Sequence, residues 1–409
     1  MRILFLIDYD INTSGGTQTS VNAQRDELER QGHSVVLLCP AQASSAHTCE
    51  NGVYYLPTLP IIEPNGFAVV SPLTTTRTIH NIISRFDSFD IIHCHSDGIL
   101  SHLAASLAKK LQIPLVQSMH GRDDVFFESS VKFPQVASTI VSLFDKARTK
   151  TLPRLKNTEG MSLTAMNMWS VMMSRCNVAD AVTIPSRHLT DLFVHHGLDA
   201  NKVHTISNGL KDSVIDAVKV ERRVASTVSP LRIMWAGRVS HEKQPLLFLK
   251  MLTKLSVPFT ASLYGEGDQL AECKSYIKSQ GLTEQVVVHG KYAAGEIIDS
   301  MTRQDVLVYT SNGFDNQPMV LFEAAAAELP VVFCDPKLAE GMPAGGALLT
   351  SEATADALAE AINNVYSSEE TYKSLKDGMR NGKDFIRQSV QTKKMVNLYK
   401  QLVEEKNDA

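Results

Sequence analysis

Residues 305–335 read DVLVYTSNGFDNQPMVLFEAAAAELPVVFCD, and this stretch decides the fold. The runs DVLVYTS and PVVFCD are short and continuously apolar, which is typical of strands buried on both faces of a sheet. The residues between them start polar and then become helical in pattern. Two buried strands joined by a helix predict a parallel sheet with helices packed against it.

The same alternation occurs in two sets along the 409 residues. Eight further strand-like runs are RILFLI, SVVLLC, DIIHCH, PLVQSMH and AVTIPS in the first half, and LRIMWAG, FTASLYG and VVVHG in the second. Residues 210–230 between the sets are polar, poor in strand signal and closed by Pro230. The pattern therefore predicts an α/β fold of two Rossmann-like, doubly wound parallel-sheet domains that face each other across a cleft.

The predicted domain limits are residues 1–210 and 211–383. A last helical stretch, 384–409, follows the second domain, and in two-domain folds of this type such a helix often packs back onto the first. The segment from Glu128 to Arg175 carries no strand signal, and its part MSLTAMNMWSVMMSRC favours a Met-rich helix. This segment is expected to cover or extend the N-terminal domain.

The composition is that of a globular protein, with 44% hydrophobic and 21% charged residues and a formal net charge of −4. That charge gives no overall attraction to nucleic acid. The N-terminus reads as a buried strand and not as a signal peptide, and no run reaches the roughly 20 apolar residues of a membrane-spanning helix. A cytoplasmic protein is expected. Its six cysteines are scattered without a CxxC pair, which favours buried free thiols over zinc ligation or disulfides.

In the first domain, two features follow predicted strands, where ligands of parallel sheets bind. Gly15 and Gly16 precede a helix, and they either bring backbone N–H groups close to an anion or simply permit a turn. His120 follows the fourth predicted strand and either contacts a sugar hydroxyl, accepts a proton or is structural. His93 and His95 favour the core or the edge of the cleft. Neither a GxGxxG nor a P-loop pattern is present.

The second domain has cations directly after its first strand, in the segment WAGRVSHEK. Arg238 offers a planar fork and Lys243 a point charge, a combination suited to a diphosphate whose leaving charge must be stabilised. The alternative is that both are solvated surface cations. Their position at a strand terminus weakens that alternative.

The stretch quoted first also contains candidate ligand contacts after its strand. Backbone N–H groups at the helix start favour a phosphate, while polar side chains before it reach hydroxyls. The helix start comprises Pro318, Met319 and Val320, and the polar side chains are Asp315, Asn316 and Gln317. Glu323, about two turns deeper among apolar residues, either accepts hydrogen bonds from a ribose diol or takes part in a structural ion pair.

These motifs resemble those of the retaining glycosyltransferases of the GT-B fold, and among them the large family 4. The resemblance covers nearly the whole chain. Four marks carry it: the glycine pair, His120, the GRxxxEK of residues 237–243, and residues 315–323 followed by AAAAELPVV.

The resemblance implies a role for each candidate residue. Arg238 and Lys243 would bind the donor pyrophosphate beside Gly237, and Glu323 would bind the ribose. Asp315 and Asn316 would bind the transferred sugar. His120 would lie near the reacting carbon, and Gly16 near the donor phosphates. The residues that would shape the nucleoside pocket are Gly265, Gly267, His289 and Gly290.

The resemblance also implies transfer with retention, without a bound metal and with no cofactor beyond the nucleotide-sugar substrate. No convincingly placed DxD motif is present. Analogy favours UDP as the nucleotide. Three positions depart from the family pattern. Asp315 stands where a Glu is usual, Glu328 where a Gly is usual, and KLAEGMPAGG replaces the usual GGxxE.

The acceptor is expected to be a glycan or a lipid-linked molecule. Apolar residues in the loop LPTLPIIEPNGFAVV, together with cations in the Glu128 to Arg175 segment, suit a peripheral membrane contact at the inner face of the cell membrane. The loop residues are Leu59, Ile61, Ile62 and Phe67, and the cations are Lys146, Arg148, Lys150, Arg154 and Lys156. The alternative is that the loop packs into the domain and the cations form a solvated face.

Two other activities remain open at this point. A GT-B epimerase or phosphorylase would need cleft carboxylates or a pyridoxal lysine that the sequence does not reveal. A non-catalytic nucleotide-sugar-binding protein is suggested by Asp315 and by the missing GGxxE.

Overall fold

The computed structural model describes residues 1–13, 15–41, 52–58, 70–71, 76–96, 98–149, 153–220, 230–292 and 296–408. The chain forms two compact units. The N-terminal unit comprises residues 1–207 and 391–409, and the C-terminal unit comprises 208–390. Each unit is built around its own parallel sheet. The predicted α/β class with two parallel-sheet domains is confirmed.

The N-terminal unit has a seven-stranded sheet in which all neighbours are parallel. The strands are β1 (Arg2–Leu6), β2 (Ser34–Pro40), β3 (Val53–Leu56), β4 (Ile91–Cys94), β5 (Leu115–Ser118), β6 (Ala181–Ile184) and β7 (Val203–Thr205). Their order across the sheet is β3-β2-β1-β4-β5-β6-β7. The direction of winding changes between β1 and β4, and the carboxyl ends of these strands therefore form the switch point where such sheets bind ligands.

Helices connect these strands. They are α1 (Gly16–Arg30), α2 (Thr76–Ile83), α3 (Ile99–Leu111), α4 (Asp123–Ser130), α5 (Pro134–Thr149), α6 (Leu163–Asn177) and α7 (Arg187–His195). The predicted Met-rich helix is α6, and the described residues of the segment around it, 128–149 and 153–175, contain no strand, as expected. The sequence did not single out α5.

The central strands are buried on both faces. In β1, Leu4 and Leu6 pack in one apolar cluster, while Ile3 and Phe5 pack in another. Alternate residues of a strand point to opposite faces, so both faces of the sheet are covered. This double burial is the physical reason for the continuous apolar runs in the sequence.

The C-terminal unit has six parallel strands. They are β8 (Leu231–Ala236), β9 (Phe259–Tyr264), β10 (Val286–Gly290), β11 (Val306–Tyr309), β12 (Val331–Phe333) and β13 (Ala347–Leu349), in the order β10-β9-β8-β11-β12-β13. The helices are α8 (Asp212–Ala217), α9 (Pro245–Leu252), α10 (Leu270–Ser279), α11 (Glu296–Met301), α12 (Met319–Ala326), α13 (Ala355–Ser367) and α14 (Glu369–Asn381).

The last helix, α15 (Gln388–Asn407), contributes to the core of the N-terminal unit. Its residues Met395, Val396, Leu398 and Tyr399 lie in the same apolar cluster as Ile3 and Phe5 of β1. The Tyr399 hydroxyl also hydrogen-bonds Nδ1 of the buried His93 on β4. Apolar packing and one buried polar contact therefore attach the end of the chain to the N-terminal sheet.

All ten strand-like runs of the sequence form strands. The three strands that the sequence did not predict, β3, β7 and β13, are three or four residues long and lie at sheet edges. Their sequences, VYYL, VHT and ALL, are shorter than every run that was used to predict a strand, which explains why they were missed.

Five cysteines are buried thiols that form no disulfide among the described residues, as expected: Cys39, Cys94, Cys176, Cys273 and Cys334. Cys49 lies outside the described residues, as do Ser14, the apolar loop residues Leu59, Ile61, Ile62 and Phe67, and Lys150. Within the part of the chain that the structure describes, no helix combines the length and apolarity needed to cross a bilayer.

Candidate functional site

The loop after β8 holds the two predicted cations in different environments. Arg238 is exposed, and its Nε lies 3.7 Å from Oε1 of Glu242. Glu242 also accepts a hydrogen bond of 2.6 Å from Ser240 Oγ. Lys243 ends the short 3-10 turn His241–Lys243, and its ammonium is largely buried. Arg238 is therefore accessible for an anion, whereas Lys243 is fixed within the site.

Lys243 forms an ion pair with Asp315, which lies in the loop after β11. The Tyr309 hydroxyl donates a second hydrogen bond to Asp315. Burial favours a higher pKa for Asp315, but the Lys243 ammonium and these hydrogen bonds hold the pKa below its ordinary value. Lys243 Nζ also lies 5.1 Å from the centre of the Phe314 ring. The structure thus joins two residues that the sequence assigned to separate parts of the donor.

Hydrogen bonds between neighbouring strands hold this ion pair in place. The indole N–H of Trp235 donates to Thr310 Oγ1 at 2.9 Å, and Thr310 in turn donates to the Lys243 carbonyl at 2.8 Å. Ser311 Oγ donates to the Glu242 carbonyl at 3.2 Å. Since β8 and β11 are adjacent, these contacts fix the loop after β8 on the loop after β11. The cation is therefore positioned before any ligand arrives.

The turn before α12 is supported from two sides. The buried Asp335 accepts backbone hydrogen bonds of 2.8 Å from Gly313 and 3.0 Å from Lys337. Gln317 Oε1 accepts the backbone N–H of Asn208 at 2.8 Å, so this predicted ligand residue supports the loop. Asn316 is buried beside it.

The start of α12 suits an anion. Pro318 precedes the first helical residue, Met319, and the first turn contains no acidic side chain. The first N–H groups of a helix have no partner within the helix and carry partial positive charge. A phosphate at this position would meet those N–H groups. The predicted helix start at Pro318, Met319 and Val320 is thus in the expected place.

Gly265 and Gly267 have no room for a side chain. Their φ angles are 137° and 159°, and a Cβ atom would meet the carbonyl of Gly237 at the first position and that of Val239 at the second. Gly265 N–H donates to the Gly290 carbonyl at 2.8 Å. The loops after β8, β9 and β10 therefore form one close-packed layer of backbone.

A pair of stacked rings lies beside this layer. The His289 ring is parallel to that of Tyr264, with a centroid distance of 4.1 Å and an interplanar angle of 3°. His289 Nε2 lies 3.3 Å from Ser262 Oγ. Partial burial lowers the pKa of His289, so the ring is neutral at pH 7. A flat apolar surface of this kind is suited to a base or a nucleoside.

The predicted glycine pair of the N-terminal unit lies at the start of α1. The helix begins at Gly16, and its first turn contains no acidic side chain. Gly15 has an extended backbone with φ of 179°, so its conformation does not require glycine. A Cβ on Gly15 would meet only the side chain of Gln18. The first turn of α1 therefore places no negative charge at the glycine pair, which is compatible with the anion-binding interpretation.

His120 follows β5 and belongs to a chain of histidine contacts. Its Nε2 lies 3.0 Å from Nδ1 of His95. The centroids of the His95 and His93 rings are 3.9 Å apart. His93 Nε2 is 2.7 Å from Ser118 Oγ. His93 and His95 are both buried in the core. Burial lowers the pKa of all three histidines, that of His120 to about 4. All three are therefore neutral at pH 7.

The burial of His95 also indicates which ring nitrogens of His95 and His120 carry a proton. His95 Nε2 is buried and has no hydrogen-bonding partner among the described residues. An N–H group without an acceptor is rarer in a protein interior than an unpaired acceptor. The proton of His95 is therefore assigned to Nδ1, which donates to His120 Nε2. The proton of the neutral His120 then lies on its own Nδ1.

Comparison with known proteins covers both units. The family model described as Glycosyltransferase Family 4 matches residues 14–213, and the model described as Glycosyl transferases group 1 matches residues 221–382. The chain belongs to the GT-B glycosyltransferases of the family 4 type. No curated protein matches it in sequence.

Solved structures share the fold of this glycosyltransferase at low sequence identity. Anabaena HepE in complex with UDP is 17% identical with a TM-score of 0.72, covering 98% of this chain and 100% of its own. Sucrose-phosphate synthase from Thermosynechococcus elongatus is 14% identical with a TM-score of 0.74, covering 99% and 100%. A glycosyltransferase from Rickettsia africae is 14% identical with a TM-score of 0.67, covering 98% of each chain.

Several residues around the site of this glycosyltransferase were not predicted. Tyr309, Thr310 and Asp335 position the Lys243 loop or the turn before α12. All three lie at or just after the ends of buried strands, where parallel sheets bind ligands, and this position is the signal in the sequence that indicates them. In the N-terminal unit, Asp123 accepts a 3.1 Å hydrogen bond from Arg175 of α6 just after β5.

Two family departures have visible structural counterparts. Glu328 has a positive φ of 54°, the left-handed conformation that glycine favours, and its carboxylate pairs with Arg380 at 3.0 Å and Lys383 at 2.8 Å. The segment KLAEGMPAGG begins within the 3-10 helix Pro336–Gly341, and this helix directly follows Asp335.

Glu323 is half-buried on α12, and its side chain makes no hydrogen bond or ion pair within the described residues. Burial raises its pKa from the ordinary 4.5 to about 7. Burial and the nearby Glu323 raise the pKa of Tyr292 to about 12. The alternative of a structural ion pair for Glu323 thus finds no partner among the described residues.

The raised pKa of Glu323 predicts a pH-dependent stability. Between pH 4.5 and about 7 the unfolded chain releases this proton and the folded chain keeps it, so Glu323 costs stability as the pH rises. We expect the free energy of unfolding of Glu323→Gln to rise relative to that of the unaltered glycosyltransferase as the pH increases over this range. Above it, the difference between the two proteins should stay constant. Urea unfolding at pH 5, 6, 7 and 8 measures the difference. A difference that stays constant with pH would contradict the assignment.

Proposed function

We propose that the protein is a retaining glycosyltransferase that moves a hexose-type sugar from a UDP-sugar to a hydroxyl of a glycan or lipid-linked acceptor. The donor is held by the C-terminal unit. The fold relative HepE is described in complexes with UDP and with UDP-glucose, which supports UDP as the nucleotide. A lipopolysaccharide galactosyltransferase and a further relative in complex with UDP and a GlcNAc-glycerol support a glycan-type acceptor.

One observation carries this proposal: the Lys243 side chain, only 15% exposed, lies at the carboxyl edge of the sheet, with its ammonium in contact with Asp315. A cation at this position is suited to the diphosphate of the donor. Asp315, only four residues before α12, is then suited to a hydroxyl of the sugar. Arg238 supplies an accessible second cation, and Glu323 a carboxylate for the ribose.

The proposed reaction breaks the bond between C1 of the sugar and the β-phosphate oxygen. The acceptor hydroxyl oxygen forms the new bond to C1, and its proton passes to the leaving phosphate. Negative charge grows on that phosphate as the bond breaks. Lys243, Arg238 and the N–H groups at the start of α12 are proposed to stabilise this charge, and each such contact contributes about 3 to 4 kcal/mol at most. No step of this scheme requires a metal ion.

Titration calorimetry with UDP, GDP and ADP tests the donor, followed by assays of donor hydrolysis and transfer. We expect UDP to bind most tightly and a UDP-hexose to be turned over. Binding without turnover across a broad panel of donors and acceptors would favour the non-catalytic protein, for which Asp315 in place of Glu is the supporting observation. Absence of nucleotide binding would overturn both.

His120 is proposed to act as a neutral hydrogen-bond donor near the reacting carbon. Since its pKa is about 4, protonation of His120 should not affect turnover above about pH 5. We expect His120→Ala to lower kcat by about 2- to 13-fold, which corresponds to the roughly 0.5 to 1.5 kcal/mol of one hydrogen bond. Steady-state kinetics between pH 5 and 8 measure both effects. The neutral role would be contradicted if the plot of kcat against pH showed a limb with a pKa near 6.5 and this limb disappeared in His120→Ala.

A further inference from the structure

Helix α5 turns its polar face into the protein and its apolar face outward. The buried residues of α5 are Ser138, Ser142 and Asp145. Five large apolar side chains on or next to the helix are exposed: Phe133 by 69%, Val136 by 61%, Ile140 by 61%, Leu143 by 61% and Phe144 by 52%. This arrangement reverses the usual one for a helix on a globular core.

Specific contacts fix the polar face inward. Asn167 of α6 donates to Ser138 Oγ at 3.3 Å and to Thr139 Oγ1 at 3.2 Å. His102 of α3 lies 2.7 Å from the buried carboxylate of Asp145. A rotation of α5 that buried the apolar face would break these contacts and leave Asp145 without its partner. The outward orientation of the apolar side chains is therefore specified by the fold.

The exposed side chains form one continuous stripe. Val136, Ile140, Leu143 and Phe144 follow one another within α5 at intervals of four, three and one residues, so they lie along a single side of the helix, and Phe133 directly precedes it. They are half of the large apolar side chains that are exposed in the described residues. Isolated exposed apolar residues are common, but a contiguous group of this size indicates an interaction surface.

The exposed charges within the α5 segment, residues 132–149, are all positive. Lys132, Lys146 and Arg148 are exposed at its two ends, and the Arg148 guanidinium lies 4.5 Å from the centre of the Phe144 ring. The only carboxylate between residues 132 and 149 is the buried Asp145. An apolar stripe with cations at both ends and no exposed carboxylate within its own segment, residues 132–149, is complementary to an anionic lipid surface.

We propose that the α5 stripe, meaning Phe133, Val136, Ile140, Leu143 and Phe144 with the flanking cations, docks on a membrane surface that contains anionic lipid. The apolar side chains would enter the boundary between headgroups and acyl chains, and the cations would contact lipid phosphates. A second copy of the chain fits less well, because the stripe offers no acid to pair with the cations of its partner. The stripe belongs to the N-terminal unit, and none of its residues is among those assigned to the donor or to the loop that the sequence singled out.

Sedimentation of the full-length protein with vesicles tests this proposal. Vesicles of phosphatidylcholine alone are compared with vesicles that also contain phosphatidylglycerol. We expect the protein to bind the anionic vesicles, with an affinity that falls as salt rises. The variant Ile140→Ser/Leu143→Ser should bind the vesicles at least about tenfold more weakly, since it lacks two apolar side chains that would be buried in the membrane. Lys146→Glu/Arg148→Glu should abolish the preference for anionic vesicles.

The matched control is Val287→Ser/Leu349→Ser, which removes two exposed apolar side chains of the C-terminal unit and should bind as the unaltered protein does. Equal vesicle binding by Ile140→Ser/Leu143→Ser and by the control would overturn the proposal. So would a failure of the unaltered protein to bind anionic vesicles. A dimer in solution that this variant converts to a monomer, without any vesicle binding, would show that a second copy occupies the stripe. No readout uses a nucleotide-sugar, so failure of the proposed activity is distinguished from failure of this surface.

Discussion

Lys243→Ala is expected to lower the rate of sugar transfer by about 100- to 1000-fold, the range observed when a charge-stabilising contact in an active site is removed. The ammonium of Lys243 is fixed by Asp315 and by the carbonyl contact from Thr310. Its loss would remove the charge that opposes the negative charge growing on the leaving phosphate. Measurement of kcat/KM with the best donor found by titration gives the effect.

The same substitution leaves Asp315 without its cation, so some loss of stability is also expected. Thermal unfolding measures this loss of stability separately from the loss of turnover. The variant Lys243→Arg keeps the positive charge and so helps to distinguish the two effects. Lys254→Ala is the matched control, because Lys254 pairs with Asp356 on an exposed surface. Turnover of a well-folded Lys243→Ala variant that equals that of the control would remove Lys243 from the mechanism.

Gly265→Ala is expected to have the largest effect on the stability of the C-terminal unit. The added Cβ would collide with the Gly237 carbonyl, and the φ of 137° is unfavourable for alanine. The backbone layer formed by the loops after β8, β9 and β10 would have to move apart. Strain of this kind combined with a backbone collision costs more than about 4 kcal/mol, and donor affinity should fall with it.

Gly281→Ala is the control for conformational strain alone. Gly281 has a φ of 68° and no atom within 4 Å of an added Cβ. This substitution should cost only the roughly 1–2 kcal/mol of a left-handed alanine. Urea unfolding compares the two variants, and titration with UDP follows the site. Equal stabilities of the two variants would show that the backbone layer adapts without cost.

The sequence predicts the class of fold because double burial leaves a direct trace. Runs such as LRIMWAG and DVLVYTS are apolar throughout because both faces of their strands are covered. The order of the strands leaves no such trace. The contact of Lys243 with Asp315 depends on β8 lying next to β11, which are separated in the chain by two other strands. The sequence therefore identified both residues without revealing that they pair.

Other contacts were beyond the sequence for the same reason. The Tyr399 hydroxyl bonds His93 across 306 residues, and nothing local to either residue indicates the partner. The outward face of α5 is a second example, since a pattern of apolar residues alone favours burial. Its orientation depends on Asn167 and His102, which come from other helices.

A crystal structure of the full chain with a bound UDP-sugar tests the central claim most directly. The account predicts the diphosphate within hydrogen-bonding distance of Lys243 Nζ, close to the start of α12, with the ribose hydroxyls at the Glu323 carboxylate. A nucleotide bound away from the carboxyl edge of the C-terminal sheet, with Lys243 contacting only Asp315, would contradict it.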